Sequence, residues 1–243
     1  MAAESSPLHQ FTIERIAEIH IGGLDLSFTN SALFMTVAAG LVTLIMLLAS
    51  RGGSDIPGRL QSFAEMLYDF IANMLEENVG EEGRRYFPFL FTLFTFVLFG
   101  NLLGMIPYSF TFTSHIVVTF AMAATVFVGV TLIGIFRHGF HFLSFFVPHG
   151  VPKPLLLLLV PIEILSYFIR PFTLAIRLFA NMVAGHTMLV IFAGFVGSLG
   201  VFFFAPIVMD AAIVLLEFLV AALQAYVFTI LSCLYLKDAI HLH

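Results

Sequence analysis

Charged side chains are scarce in this sequence of 243 residues. Lysine and arginine together number 10 and aspartate and glutamate 15, only 10% of the chain, whereas 60% of it is hydrophobic. A water-soluble globule of this length needs a charged outer surface, and these residues are too few to cover one. The mean hydropathy of +1.04 also excludes the soluble class. We therefore predict that lipid surrounds most of the chain.

Basic clusters, paired cysteines and phosphate-binding loops are also missing. The net charge is −5, so there is no positive patch of the kind that nucleic acid requires. The single cysteine, Cys233, can form no internal disulfide and stands in an apolar run, where it acts as a small hydrophobic side chain. No glycine-rich loop ends in Gly-Lys-Ser/Thr, the pattern of a nucleotide site. We expect no nucleic-acid partner, no cofactor, no metal and no catalytic site in this chain.

Long hydrophobic runs are the most abundant feature of the sequence. A helix needs ~20 apolar residues to cross ~30 Å of hydrocarbon. Five runs reach that length, at residues 32–50, 87–106, 115–136, 155–195 and 207–236. The fourth is about twice as long as a crossing needs and contains Pro161 and Pro171, so it must tilt or kink. The sequence predicts an all-α integral membrane protein with one membrane domain and about five membrane helices, two of them long and tilted.

Two segments outside these runs have the pattern of helices lying at the membrane surface. Between residues 59 and 79, apolar side chains recur at helical spacing and polar ones occupy the other side. Residues 8–19 mix Phe11, Ile16 and Ile19 with charged side chains, which favours a short surface helix. We expect residues 1–31 to form an interfacial N-terminus on the outer side.

The distribution of basic residues predicts the orientation in the membrane. Seven of the ten lie in segments between the first and second runs, between the third and fourth, and after the last: Arg51, Arg59, Arg84, Arg85, Arg137, Lys153 and Lys237. Cytoplasmic loops carry an excess of lysine and arginine. The N-terminus is therefore expected outside and the C-terminus in the cytoplasm, which agrees with an odd number of crossings.

Three charged residues share the long fourth run. A charge at the centre of a membrane helix costs ~2.5–3.5 kcal/mol on insertion scales, so such residues usually have a function. Glu163, Arg170 and Arg177 are seven residues apart, and seven steps of ~100° return to within ~20° of the start. They therefore project from one face, which Asn181 joins. His186 comes nine residues after Arg177 and points to the opposite side.

The fifth run repeats this spacing with Asp210, Glu217 and Gln224. The two polar stripes can face each other across neighbouring helices. An arginine does not release its proton at any relevant pH, so Arg177 is expected to act as a fixed positive charge. Carboxyl and imidazole groups in a partly wet site can exchange protons. The two stripes together predict a path for protons rather than a soluble active site.

The segment Arg177-Leu-Phe-Ala-Asn-Met-Val-Ala-Gly-His186 resembles the arginine-bearing helix of subunit a of F-type ATP synthases. The preceding Pro161-Ile-Glu163 and Arg170-Pro-Phe-Thr-Leu-Ala-Ile-Arg177, and the later Leu223-Gln-Ala-Tyr-Val-Phe-Thr229, are similar to that family too. Asn101-Leu-Leu-Gly-Met-Ile-Pro107 and Pro7-Leu-His-Gln-Phe11 extend the resemblance over nearly the whole chain.

The resemblance implies a proton-conducting stator subunit in a bacterial inner membrane. Its partners would be the ring of c subunits, the peripheral-stalk subunits b and b′, and the lipid bilayer. Arg177 would face the ring and separate two half-channels, and Glu163 falls at the acidic position of the cytoplasmic one. The polar positions of the opposite half-channel fall on Asn181, His186, Glu217 and Gln224. Some bacterial members have an acid in place of His186 and a histidine in place of Glu217, so the two types are exchanged here.

Two other classes of protein fit part of the pattern. A secondary transporter would use the buried arginine and carboxylates to bind a substrate at mid-membrane, but no internal repeat is visible. A redox subunit with haem would need paired histidines at matched depth, and only His186 is deep. Arg170 could instead extend to the cytoplasmic interface. The roles of Asp210, His115 and Ser166 stay open.

Overall fold

The computed structural model describes residues 12–18, 20–21, 24–25, 27–51, 57–106, 109–147, 152–198 and 204–241. Its helices are α1 (Asn30–Ser50), α2 (Arg59–Val79), α3 (Phe87–Gly104), α4 (Ile116–His138), α5 (Lys153–Ser198) and α6 (Phe204–Ile240). Short 3-10 helices at Glu81–Tyr86, Phe112–Ser114 and Gly139–Phe146 join some of them.

The described residues include five helices that are long and apolar enough to cross a membrane. They correspond to α1, α3, α4, α5 and α6, and they begin and end within four residues of the hydrophobic runs in the sequence. The predicted all-α integral membrane fold is confirmed. At 1.5 Å per residue, the 46 residues of α5 span ~69 Å and the 37 of α6 ~55 Å, so neither fits upright within ~30 Å of hydrocarbon.

The α2 helix is amphipathic, as its sequence predicts. It buries Leu67, Ile71, Met74 and Leu75 against the bundle and exposes its polar face. Gly80 follows it with φ of 83°, a conformation that glycine adopts without a Cβ clash, and this turn leads the chain into the 3-10 helix before α3. The amphipathic α2 therefore differs from the five apolar helices, which carry little polar surface.

The N-terminal segment contains short strands where the sequence suggests a helix. β1 (Arg15–Ala17) pairs with β4 (Phe28–Thr29), and β2 (His20–Ile21) pairs with β3 (Leu24–Asp25), both antiparallel. The surface helix predicted over residues 8–19 is therefore wrong at Arg15–Ala17, and residues 8–11 and 19 lie outside the described part. Asn30 donates from Nδ2 to the Thr12 carbonyl at 3.1 Å. These contacts to residues 28–30 replace the local bonds of a helix.

The core of the bundle surrounds one side of α6. Helices α2, α3, α4 and α5 all pack against α6, while α1 packs on α2 and α3. Ala221 and Ala225 are completely buried, so their small side chains let neighbouring helices approach closely. The opposite faces of α5 and α6 expose a long apolar stripe that includes Ile176, Leu215 and Leu219. One side of this helix pair is therefore left uncovered by the residues that the structure describes.

Candidate functional site

Helices α5 and α6 form an antiparallel pair joined by polar contacts. Those contacts are Arg170 with Asp238, Asn181 with Gln224, and His186 with Glu217. From Arg170 to His186 along α5, the residue numbers of the contact partners on α6 fall from 238 to 217, which defines the antiparallel register. Of the α5 stripe that the sequence predicts, Arg170 and Asn181 face α6, whereas Glu163 and Arg177 do not. His186, which the spacing places opposite Arg177, contacts Glu217 of the α6 stripe. Apolar side chains surround these contacts, so each one is a local polar site within a hydrophobic bundle.

Arg177 lies between these contacts and takes part in none of them. Its side chain is exposed on the uncovered face of α5, and it makes no hydrogen bond or ion pair within the described ranges. At 1.5 Å per residue, Arg177 is ~10 Å along the helix from Arg170 and ~13 Å from His186. A permanent positive charge is thus presented to whatever covers this face.

His186 and Glu217 form an enclosed contact between α5 and α6. His186 Nδ1 pairs with Glu217 Oε1, and the Glu217 side chain is only 4% exposed. On the other side of the ring, Nε2 lies 2.9 Å from the Gly104 carbonyl oxygen and 2.9 Å from Thr111 Oγ1. A Cβ at Gly185 would lie 2.8 Å from Glu217 Oε1, so this glycine makes space for the carboxylate. The arrangement places an acid and a base at hydrogen-bonding distance inside the bundle.

Asn181 and Gln224 form the contact nearest to Arg177. Asn181 donates from Nδ2 to Gln224 Oε1 at 2.9 Å, and Gln224 is 1% exposed. One helical turn away on α6, Asn101 donates from Nδ2 to the Ala221 carbonyl at 3.2 Å. Within the described ranges, Gln224 Nε2 and Asn101 Oδ1 are buried and have no partner. Ordered water commonly satisfies such groups, so this interior is suited to hold it.

Glu163 stands apart from the other predicted site residues. It is half-buried on α5, fourteen residues before Arg177, which corresponds to ~21 Å along the helix. Its side chain forms no hydrogen bond or ion pair with any other described residue. The structure therefore brings Asn181 together with Gln224, and His186 together with Glu217. Glu163 lies apart from both pairs, on the opposite side of Arg177 along α5.

Arg170 is half-buried on α5, seven residues after Glu163. Its Nη1 donates to Asp238 Oδ2 at 3.0 Å, and its guanidinium carbon lies 4.9 Å from the Tyr235 ring centre and 5.4 Å from that of Tyr167. Extension of Arg170 to the cytoplasmic interface stays a prediction, and its charged partner within the described bundle is Asp238. Asp238 was not predicted, yet it falls two steps of seven after Gln224 on the same stripe.

Three residues whose roles the sequence leaves open have simple surroundings. Asp210 is half-buried, and its Oδ1 has no partner among the residues the structure describes. His115 stacks on the Phe110 ring with centroids 5.0 Å apart, and Ser166 is exposed. Within the same ranges, no group of three His, Cys, Asp or Glu side chains is placed to hold a metal ion. The sequence patterns did not identify Thr111 or the Gly104 carbonyl, although both lie beside His186.

Fold and site together define a multi-pass α-helical membrane protein with paired polar groups inside one antiparallel helix pair. The family model described as ATP synthase A chain matches residues 32–237. "ATP synthase subunit a" of Paramagnetospirillum magneticum is 55% identical, over 98% of this chain and 100% of that protein. The proteins of the same name from Rhodospirillum rubrum (55% identical, over 98% and 99%) and Parvibaculum lavamentivorans (56%, over 97% and 93%) are equally similar. The chain belongs to the ATP synthase A chain family.

Proposed function

We propose that this chain is the proton-conducting stator subunit of an F-type ATP synthase. The observation that carries the proposal is the position of Arg177, an exposed cation between two separate polar regions of one helix pair. On one side lie Asn181 with Gln224 and then His186 with Glu217. On the other side lies Glu163. These two regions serve as offset half-channels, and Arg177 separates them.

The outer half-channel delivers protons to a carboxylate of the c-ring. His186 and Glu217 can exchange a proton directly because Nδ1 and Oε1 are in contact. Asn181 and Gln224 cannot carry a charge, but their amides can orient water between that pair and Arg177. A neutralised carboxyl on the ring can then turn into lipid, where the ionised form would be costly. Proton entry is thereby tied to rotation.

The positive charge of Arg177 accounts both for the release of the proton from the ring carboxyl and for the block against direct proton flow between the half-channels. A protonated carboxyl that arrives beside a fixed cation is favoured in its ionised form, so it gives up its proton. The proton leaves towards the cytoplasm past Glu163. The same cation repels a free proton passing directly between the half-channels, which prevents a leak. Each 100 mV of membrane potential contributes ~2.3 kcal/mol per charge that completes the passage.

The remaining parts of the proposal concern partners and orientation. The uncovered apolar stripe of α5 and α6, with Arg177 within it, is the surface proposed to face the c-ring. Other exposed apolar helices are available to subunits b and b′ and to lipid. The basic loops place the N-terminus outside and the C-terminus in the cytoplasm of a bacterial inner membrane. The family assignment favours this function over a transporter or a haem protein.

ATP-driven proton pumping in inverted membrane vesicles tests the proposal. Arg177→Ala is expected to reduce pumping to the level of uncoupled vesicles while the complex still assembles, because an exposed side chain without partners contributes little to folding. Passive proton leak is measured after the ATP-hydrolysing sector has been removed. Retained or raised leak in Arg177→Ala indicates that the cation separates two conducting paths.

The matched control is Arg85→Ala, which removes an equally exposed arginine from the loop between α2 and α3. It should pump like the parent complex. Pumping by Arg177→Ala at nearly the parental rate contradicts the stator mechanism. In that case a transporter function, with a substrate at mid-membrane, becomes the better explanation.

A further inference from the structure

Residues 109–115, which precede α4, fold back into the membrane bundle. Four consecutive residues in this segment, from Thr111 to Ser114, are buried although they connect two membrane helices. Phe112 fills the space beside Gly100 on α3, and the Ser114 hydroxyl donates to the Thr111 carbonyl at 2.6 Å. A connecting loop normally lies on the surface of a protein. This loop instead places its polar side chains against the helix that carries His186.

Thr111 is the loop residue that contacts the imidazole of His186. Its hydroxyl donates to the Gly104 carbonyl oxygen at 3.1 Å, and the same Oγ1 lies 2.9 Å from His186 Nε2. A Cβ at Gly104 would lie 2.6 Å from Thr111 Oγ1. Glycine at this position is therefore what lets the threonine hydroxyl lie beside the end of α3.

The partners of Nε2 determine which ring nitrogen keeps its hydrogen. A carbonyl oxygen only accepts hydrogen bonds, and the Gly104 carbonyl lies 2.9 Å from Nε2. When the Thr111 hydroxyl donates to the same carbonyl, its Oγ1 accepts from the ring. The contact with the acceptor-only Gly104 carbonyl therefore indicates that Nε2 carries a hydrogen. Nδ1 is left to face Glu217 Oε1.

We propose that Thr111 is a positioning residue of the outer half-channel, which holds the His186 ring so that Nε2 keeps its hydrogen and only Nδ1 exchanges a proton with Glu217. This inference rests on the proposed proton path. The exchange moves one proton: an Nδ1–H beside an ionised Glu217 becomes a bare Nδ1 beside a protonated carboxyl, and the reverse step restores the pair. The N–H at Nε2 takes no part in either direction.

The test compares Thr111→Val with Thr111→Ser in the complete complex. Valine has nearly the shape of threonine without the hydroxyl, whereas serine keeps the hydroxyl and loses the methyl group. Loss of one hydrogen bond should reduce the correctly oriented fraction of His186, and with it the initial ATP-driven pumping rate, by about 3- to 10-fold. Thr111→Ser should pump at close to the parental rate. Equal rates for valine and threonine, or equal losses for valine and serine, overturn the proposal.

A spectroscopic measurement keeps the proposal testable when the valine variant fails to assemble. Solid-state NMR of the parent complex with ¹⁵N-labelled histidine, compared with the His186→Gln complex, isolates the signals of this ring. Protonated Nε2 in the neutral ring is the expected result, and hydrogen on Nδ1 with a bare Nε2 overturns the assignment. A merely structural role for Thr111 would leave these signals unchanged in Thr111→Val, which also contradicts the proposal.

Arg177→Ala, measured in the same vesicles, separates the two levels of inference. If Arg177→Ala abolishes pumping and Thr111→Val pumps normally, the proton path stands and the role of Thr111 is wrong. If Arg177→Ala pumps normally, the proposed function itself fails, and the role of Thr111 in the proton path fails with it.

Discussion

The ion pair between Arg170 and Asp238 should hold the C-terminal end of α6 against α5. Arg170→Met removes the charge and the hydrogen-bond donors but keeps a long apolar side chain beside Tyr167 and Tyr235. The side chains of Arg170 and Asp238 are only 20% and 30% exposed, so solvent screens their interaction less than that of a surface pair. The variant also leaves the Asp238 carboxylate half-buried and without its cation.

The size of the effect follows from these contacts. A hydrogen bond to a charged group contributes about 1.5–3 kcal/mol, and a partly exposed cation–π contact adds about 0.5–1 kcal/mol. Residual exposure weakens both, so we expect Arg170→Met to lower the free energy of local opening by about 1.5–3 kcal/mol. Since 1.4 kcal/mol is a factor of ten, transient separation of α5 from α6 should become about 10- to 150-fold more frequent.

The single cysteine of the chain gives a direct assay for this opening. Cys233 is fully buried on α6 and belongs to the same packed cluster as Leu174 and Leu178 of α5. A maleimide reagent can reach its thiol only when the helices separate. The labelling rate of Cys233 in Arg170→Met, measured on the assembled complex in lipid, should therefore rise about 10- to 150-fold over the parental rate.

Arg84→Met is the matched control, because Arg84 pairs with Glu76 at 3.2 Å but both side chains are more than half exposed. Such pairs contribute about 0–1 kcal/mol, so labelling should change by less than about fivefold. Labelling of Arg170→Met at the parental rate would refute the reasoning, since the ion pair would then contribute nothing to the closed state.

Two further variants test the packing around the proposed proton path. Gly185→Val should displace Glu217, because even a Cβ at Gly185 would lie 2.8 Å from Oε1. An overpacked site costs ~1–3 kcal/mol, so ATP-driven pumping should fall about 5- to 150-fold, and pumping at the parental rate would contradict the observed contact. Leu231→Asp should place a carboxylate opposite Arg177 and thereby suppress pumping. Leu231→Asn adds no charge and should retain a higher pumping rate. Similar pumping rates for the two variants would exclude neutralisation of Arg177 as the cause of the loss.

The helical framework could be predicted from the sequence because lipid imposes a simple requirement. Each crossing must satisfy its own backbone hydrogen bonds, so long apolar runs become helices almost without regard to tertiary contacts. The amphipathic α2 helix could also be predicted from the sequence, since its buried residues recur at helical spacing. The N-terminal strands were not, because β1 depends on pairing with residues 28 and 29, and no local pattern contains that information.

The site was predictable only where residues share a periodic pattern. The spacing of seven indicated that Glu217 and Gln224 face α5, and the structure pairs them with His186 and Asn181. The same spacing could have identified Asp238 as a partner for Arg170. Thr111 could not have been found in this way, because it reaches His186 from a loop that folds back into the bundle. Its contact depends on the tertiary position of that loop rather than on any repeat.

The two arginines of α5 differ in a way that bears on mechanism. Both stand on one helix seven residues apart, yet Arg170 has Asp238 as its partner and Arg177 has none within the described ranges. Positions 210, 217, 224, 231 and 238 form one stripe on α6, and its only apolar member is Leu231. The antiparallel register places Leu231 near the level of Arg177.

A carboxylate at Leu231 would neutralise Arg177 permanently, as Asp238 neutralises Arg170. Among the described residues, the chain instead leaves this cation unpaired on a membrane helix, where a charge costs ~2.5–3.5 kcal/mol. Such a charge is tolerable when an anion from outside the chain faces it for part of the time. An unpaired Arg177 therefore fits a partner whose carboxylates arrive and leave in turn better than it fits a fixed internal salt bridge or a permanently bound subunit.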